Sequence, residues 1–198
     1  MTPQGILIAF EGLDQSGKET QAARLRERFA EAGRVVRALS FPDYDTPIGR
    51  EIRAALDGHR DFAPDTLQLL YIANRHEYRE AIETWLAAGD VVVCDRYRAS
   101  SIAYGDAQGL DAAWLRDTQR HLPEPAVIFL LDIAPEEAVR RKAHGRDKFE
   151  RDLPLLSRVR ESYRRQADAE EWEVIDGQRS MEEIEADIVQ RLTLRELL

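Results

Sequence analysis

Ile6-Leu7-Ile8-Ala9-Phe10-Glu11-Gly12-Leu13-Asp14-Gln15-Ser16-Gly17-Lys18-Glu19-Thr20 reads as a strand, a glycine loop and a helix start, in that order. The apolar run from Ile6 to Phe10 suits a strand buried on both faces. Gly12 and Gly17 enclose four residues ahead of Lys18, the G-x-x-x-x-G-K spacing. In such a loop consecutive backbone N–H groups wrap a di- or triphosphate, and the helix N-terminus adds positive partial charge. The candidate phosphate-binding residues are therefore Gly12, Leu13, Asp14, Gln15, Ser16, Gly17, Lys18, Glu19 and Thr20, with Lys18 supplying a full charge. One position departs from the usual pattern. Glu19 stands where a Ser or Thr hydroxyl normally meets Mg²⁺.

Beyond the loop, Ala22, Leu25, Phe29 and Ala32 recur at helical steps, and Gly33 is a suitable stop. Further short apolar runs predict strands at Val35 to Phe41, Val91 to Asp95, Ala126 to Asp132 and Glu173 to Asp176. Helical patterns lie between them. One long helix is predicted from Thr66 to Trp85, another from the acidic turn Pro135-Glu136-Glu137, and a last from Ser180, whose pairing with Glu183 fits a capping box. Residues 57–62 read as a surface loop. Alternation of strands and helices predicts an α/β, three-layer fold with a five-stranded parallel sheet. The 198 residues suit a single domain spanning 1–198.

The composition, 43% hydrophobic and 33% charged, is that of a soluble globular chain. A net charge of −9 argues against a broad nucleic-acid surface, though not against a few converging cations. Cys94 is alone in an apolar run, so no disulfide forms within the chain, and a buried core position is expected for it. No apolar stretch approaches the ~18 residues of a membrane span, and the N-terminus lacks a signal-like pattern. A cytoplasmic protein without membrane or nucleic-acid partners is expected.

The strand Val91-Val92-Val93-Cys94-Asp95 delivers a carboxylate at its C-terminal end, where Asp95 can hold Mg²⁺ directly or through water, or else cap a following helix. Arg96 follows and suits bidentate phosphate binding. Residues 140–152 hold six Lys and Arg residues, with Gly145 as a hinge.

Together, Phe10-Glu11-Gly12-Leu13-Asp14, Lys18 with Thr20-Gln21, Phe41-Pro42, Ala73-Asn74-Arg75 and Asp95-Arg96-Tyr97 strongly resemble the thymidylate kinases, P-loop enzymes that move the γ-phosphate of ATP to dTMP. The resemblance runs through the chain in order and spacing. It implies ATP and dTMP as substrates, Mg²⁺ as cofactor and a homodimer, with the Thr66–Trp85 helix and the one before it as possible interface. It also implies that Tyr71 stacks on thymine, that Arg75 donates to a thymine carbonyl, and that Phe41 and Pro42 wall the pocket. Tyr44, Arg96 and Ser100 belong to the acceptor site, and Asp14 faces the sugar 3′-hydroxyl or the metal. Tyr104 packs on the deoxyribose and excludes a 2′-hydroxyl, or else belongs to an apolar patch with Ile102 and Ala103. The basic half of 140–152 resembles a lid closing over ATP. Because Gln15 leaves the glycine loop without an arginine, the migrating phosphoryl group falls to Arg146, with Arg140 binding ATP and Arg141 as an alternative. Catalysis is expected from Lys18, Arg96, Arg146 and Asp14. Asp43 departs from the family, which often has a basic residue there. A kinase for another nucleoside monophosphate or a deoxynucleoside, or a weakly catalytic nucleotide binder, remains compatible with these residues.

Overall fold

The computed structural model describes residues 4–141 and 152–198. Strand β1 (Ile6–Glu11) leads through the glycine loop into α1 (Lys18–Glu31), and β2 (Val36–Ser40) follows. Then come α2 (Pro47–Leu56), α3 (Pro64–His76), α4 (Arg79–Ala87) and β3 (Val91–Asp95). Helices α5 (Arg98–Ala107) and α6 (Ala112–Asp117) precede β4 (Val127–Asp132). The chain continues with α7 (Pro135–Arg141), α8 (Leu153–Glu170), β5 (Glu173–Asp176) and α9 (Met181–Leu194).

All five strands pair in parallel, in the order β2-β3-β1-β4-β5. Side chains alternate across a strand, so β1 feeds two layers. Ile6, Ile8 and Phe10 pack with Leu25 and Phe29 of α1 and with Ile184, Ile188 and Leu192 of α9. Leu7 and Ala9 face Phe41, Ile82, Tyr97 and Leu122 on the other side. Cys94 lies in this second layer, fully buried. Burial pushes its thiol pKa up, which suits a core residue and not a nucleophile. The five expected strands are present with ends shifted by at most one residue at β2 and β4.

The long helix predicted from Thr66 to Trp85 is two helices. The Tyr78 amide bonds to Arg75 O (3.1 Å), a tightened turn, and the chain restarts at Arg79. The break coincides with a side-chain tie to the loop after β2. Asn74 Nδ2 donates to Thr46 Oγ1 (2.9 Å) and Asp43 O (3.1 Å), Asn74 Oδ1 accepts from Asp43 N (2.8 Å), and the Tyr78 hydroxyl donates to the Asp43 carboxylate. Asp43 is thus turned toward the α3–α4 junction.

Helix α5 is built of small residues, Ala99, Ser100, Ser101, Ala103, Gly105 and Ala107, all buried. A Cβ placed on Gly105 would stand 2.4 Å from Leu115 Cδ1, so glycine is what lets α6 approach. Residues 57–62 form a largely exposed connection between α2 and α3. Ser180 and Glu183 form the expected capping box at α9.

Candidate active site

The glycine loop lies beyond the C-terminal ends of β1, β3 and β4, the crevice where open parallel sheets bind ligands. Gly12 has φ +136, and a Cβ there would sit 2.5 Å from Leu131 O. Gly17, at φ +96, turns the chain into α1. The first amides of α1 have no partner within their helix and point back into the crevice. Lys18 is 5% exposed, and its Nζ donates to Leu13 O (2.7 Å). Burial, aided by the neighbouring Arg96 charge, lowers its pKa from 10.5 to about 8.

Two clefts meet at this point. One, with about 1270 Å³ of open space, is lined by residues 14–21 together with Asp95, Arg96, Arg141, Gly177 and Arg179. The other, of about 540 Å³, is lined by Phe41, Pro42, Tyr71, Arg75, Ser100 and Tyr104, among others. Asp14, Phe41, Pro42, Tyr44 and Arg96 line both.

Arg96 stands at the junction with φ +63, a conformation that non-glycine residues keep only when their surroundings enforce it. Its Nη2 donates to Asp14 Oδ1 (2.9 Å), and its guanidinium lies 5.6 Å from the Tyr104 ring centre. Burial opposes the Arg96 charge, but Asp14 outweighs it and the pKa stays well above the usual value. Burial likewise works against ionised Asp14, yet Arg96 and Lys18 hold its carboxyl well below the usual range. The pair is charged on both sides at neutral pH. Tyr104 reaches the same carboxylate, donating to Asp14 Oδ2 at 3.3 Å.

Arg75 is 2% exposed. Its Nη1 donates to Ser101 Oγ (2.7 Å) and Tyr71 O (3.3 Å), its Nε is unpartnered, and no carboxylate lies within ion-pair distance among the described residues. Burial lowers its pKa. A charge this poorly compensated is costly unless a ligand completes it.

Asp95 is not the cap of α5, whose N-cap is Tyr97 and carries no side-chain bond. Its Oδ1 is buried without a partner, as is the Ser16 hydroxyl, and both residues line the larger cleft. An orphaned carboxylate oxygen beside a phosphate loop fits a hard divalent cation that takes its other ligands from phosphates and water. Glu19 is exposed at the rim of that cleft.

Of the segment expected as a lid, 142–151 lie outside the described residues; Arg140 and Arg141 stand at the end of α7, both pair with Glu137, and they differ in reach. Arg140 forms a two-pronged pair with Glu137 (2.8 and 2.9 Å), its side chain is 78% exposed, and it does not line the cleft. Arg141 does, donating to Gln15 O (3.1 Å) and Gly177 O (2.9 Å). Arg146 lies outside the described residues.

Gln68, Leu56, Gly177 and Arg179 also line the clefts and were not legible as site residues. Gln68 is 1% exposed with its Oε1 unpartnered, and the signal was a polar residue three positions before Tyr71 on the same apolar stripe. For Gly177 the signal was its place just past the C-terminal end of β5.

The thymidylate kinase family pattern matches residues 10–188. The chain belongs to the thymidylate kinase family. A thymidylate kinase from Arabidopsis thaliana is 36% identical over 188 residues, covering 95% of this chain and 71% of that one. A probable thymidylate kinase from Pyrococcus abyssi is 38% identical over 205 residues, covering 98% of both. Among solved structures, thymidylate kinase from Candida albicans superposes with a TM-score of 0.83 at 26% identity, covering 98% of this chain and 93% of that chain. The thymidylate kinase reaction is phosphoryl transfer from ATP to dTMP, giving dTDP, and the chain is a nucleoside monophosphate kinase.

Proposed function

We propose that the two clefts divide the substrates of this reaction, ATP in the larger and dTMP in the smaller, with Asp14 and Arg96 at their junction. The observation that carries this reading is the buried Arg75 guanidinium in the smaller cleft, whose Nε has no partner and which has no ion pair among the described residues. A thymine carbonyl is an acceptor of the kind it lacks. Tyr71, one helical turn earlier, would stack on the base, with Phe41 and Pro42 as the opposite wall. Gln68 Oε1 offers a further acceptor in the same cleft. Tyr104, held by Asp14, would occupy the space of a 2′-hydroxyl.

The α1 amides and Lys18 would cradle the ATP phosphates, and Arg96 the acceptor phosphate, with Ser100 and Tyr44 beside it. Mg²⁺ would be held by Asp95 and phosphate oxygens, with Asp14 the second candidate, and would neutralise phosphate charge. Arg141, which reaches Gln15 O of the loop, would help stabilise the migrating phosphoryl group; Arg146, expected in this role, lies outside the described residues. Exposed Glu19 adds no buried anion to the cradle. A homodimer is part of the reading, with α2 and α3 as its faces; Leu69 of α3 is 43% exposed. So is a cytoplasmic location, and among the described residues no helix is long and apolar enough to cross a membrane.

The direct test follows dTDP formation from ATP and dTMP against Mg²⁺ concentration. Asp95→Asn should lower turnover steeply and raise the Mg²⁺ requirement, while Glu19→Ser should be tolerated. An Asp95→Asn enzyme with the parent's Mg²⁺ dependence would remove Asp95 from the metal site.

A further inference from the structure

We propose that Glu11 and Tyr163 are positioning residues that hold the Arg96 guanidinium in the orientation that receives the acceptor phosphate. This rests on the reading of Arg96 as the phosphate clamp. Glu11, the last residue of β1, is fully buried, and among the described residues it forms no ion pair. Its Oε1 accepts from the Tyr97 amide (2.8 Å). Its Oε2 accepts from Ser100 Oγ (2.6 Å) and from the Tyr163 hydroxyl (3.2 Å). Tyr163 stands on α8 and is 1% exposed. Its hydroxyl also lies 2.8 Å from Ser100 Oγ.

The chemistry of the carboxylate fixes the direction of these bonds. A carboxylate oxygen accepts, and Oε2 takes the hydroxyl hydrogen of Ser100. With the Ser100 proton on Glu11, the Tyr163 proton must go to Glu11 or to Ser100. In either arrangement both hydroxyl oxygens keep lone pairs for Arg96, whose Nη1 lies 3.2 Å from Ser100 Oγ and 3.1 Å from the Tyr163 oxygen. Gly12 O accepts from the same Nη1 (3.0 Å), and Asp14 takes Nη2. A guanidinium carries five N–H donors. Nη1 is therefore committed to Gly12 and the hydroxyl pair, one Nη2 hydrogen goes to Asp14, and the remaining edge is left for phosphate. Among the described residues, Glu11 itself makes no hydrogen bond or ion pair with Arg96. It acts by orienting the hydroxyls that do. Tyr163 ties α8 to the clamp across 67 residues of chain.

Tyr163→Phe keeps the ring in the core and removes only the hydroxyl. The experiment measures, by calorimetry, the dissociation constants of dTMP and of thymidine, which lacks the phosphate, in the parent and in Arg96→Lys. The expected result is a loss of about tenfold for dTMP with thymidine changed by less than about twofold. In the Arg96→Lys background, adding Tyr163→Phe should cost less than about twofold more, because both substitutions act on one interaction. Equal losses for dTMP and thymidine would mean a packing role and overturn the proposal. So would an unchanged dTMP affinity, or the same loss with Arg96 already replaced. Arg96→Lys binding dTMP as the parent does would instead contradict the clamp reading itself. Glu11→Gln, which places an N–H against the hydroxyls, should repeat the pattern and serves if Tyr163→Phe does not fold.

Discussion

Lys18 loses its charge within an accessible pH range. With its pKa lowered by burial to about 8, the free protein is largely neutral at this position above that value. A bound polyphosphate favours the ammonium form and raises the pKa again, so the complex holds more protons than the free protein between about pH 8 and 10.5. ATP affinity should therefore fall as pH rises through that window. Calorimetry at pH 9 in buffers of different ionisation enthalpy should show uptake approaching about one proton per ATP bound, and Lys18→Met should abolish it. Arg75 supports a second prediction at this scale. Losing a charged hydrogen bond to the base should raise KM for dTMP by about 10- to 100-fold in Arg75→Met. The unfolding midpoint should be unchanged or higher, because an unpaired buried charge has been removed. Both residues were legible in the sequence as types at positions. Their burial was not, since it depends on which helices cover them.

The elements were legible where one local pattern decided them. Strands β1, β3 and β4 are apolar runs ended by an acidic residue, and α9 announces itself with Ser180 and Glu183. Helix α5 was not legible, because Ala, Ser and Gly leave no apolar stripe; its character comes from the close approach of α6 and α8. Gly105→Val should therefore destabilise the fold by about 1–3 kcal/mol, read from the denaturation midpoint. The α3–α4 break escaped the sequence reading for a different reason. The apolar stripe continues through Tyr78, while the tie that accompanies the break runs to Asp43, 35 residues away. In the basic segment expected to form a lid, the spacing could not rank neighbouring arginines. Geometry ranks two of them: Arg141→Met should lower kcat by at least about tenfold, and Arg140→Met should give the smaller loss, in steady-state assays at saturating dTMP.

At the scale of the molecule, the sheet order places β3 and β1 side by side. Asp95 and the glycine loop are thereby neighbours although about 80 residues apart in sequence. This much follows from strands of the right character in the right order. What the order does not contain is the junction of the two clefts, where Asp14 from the loop after β1, Arg96 from the turn after β3 and Tyr104 of α5 form a single charged and aromatic contact. This junction, with Arg75 behind it, is the proposed selector of dTMP. A coupled ADP-release assay across dTMP, dUMP, UMP, dCMP, dGMP and AMP tests it most directly. The account predicts the highest kcat/KM for dTMP, with UMP disfavoured against dUMP by the Tyr104 contact; turnover of AMP or UMP exceeding that of dTMP would contradict it.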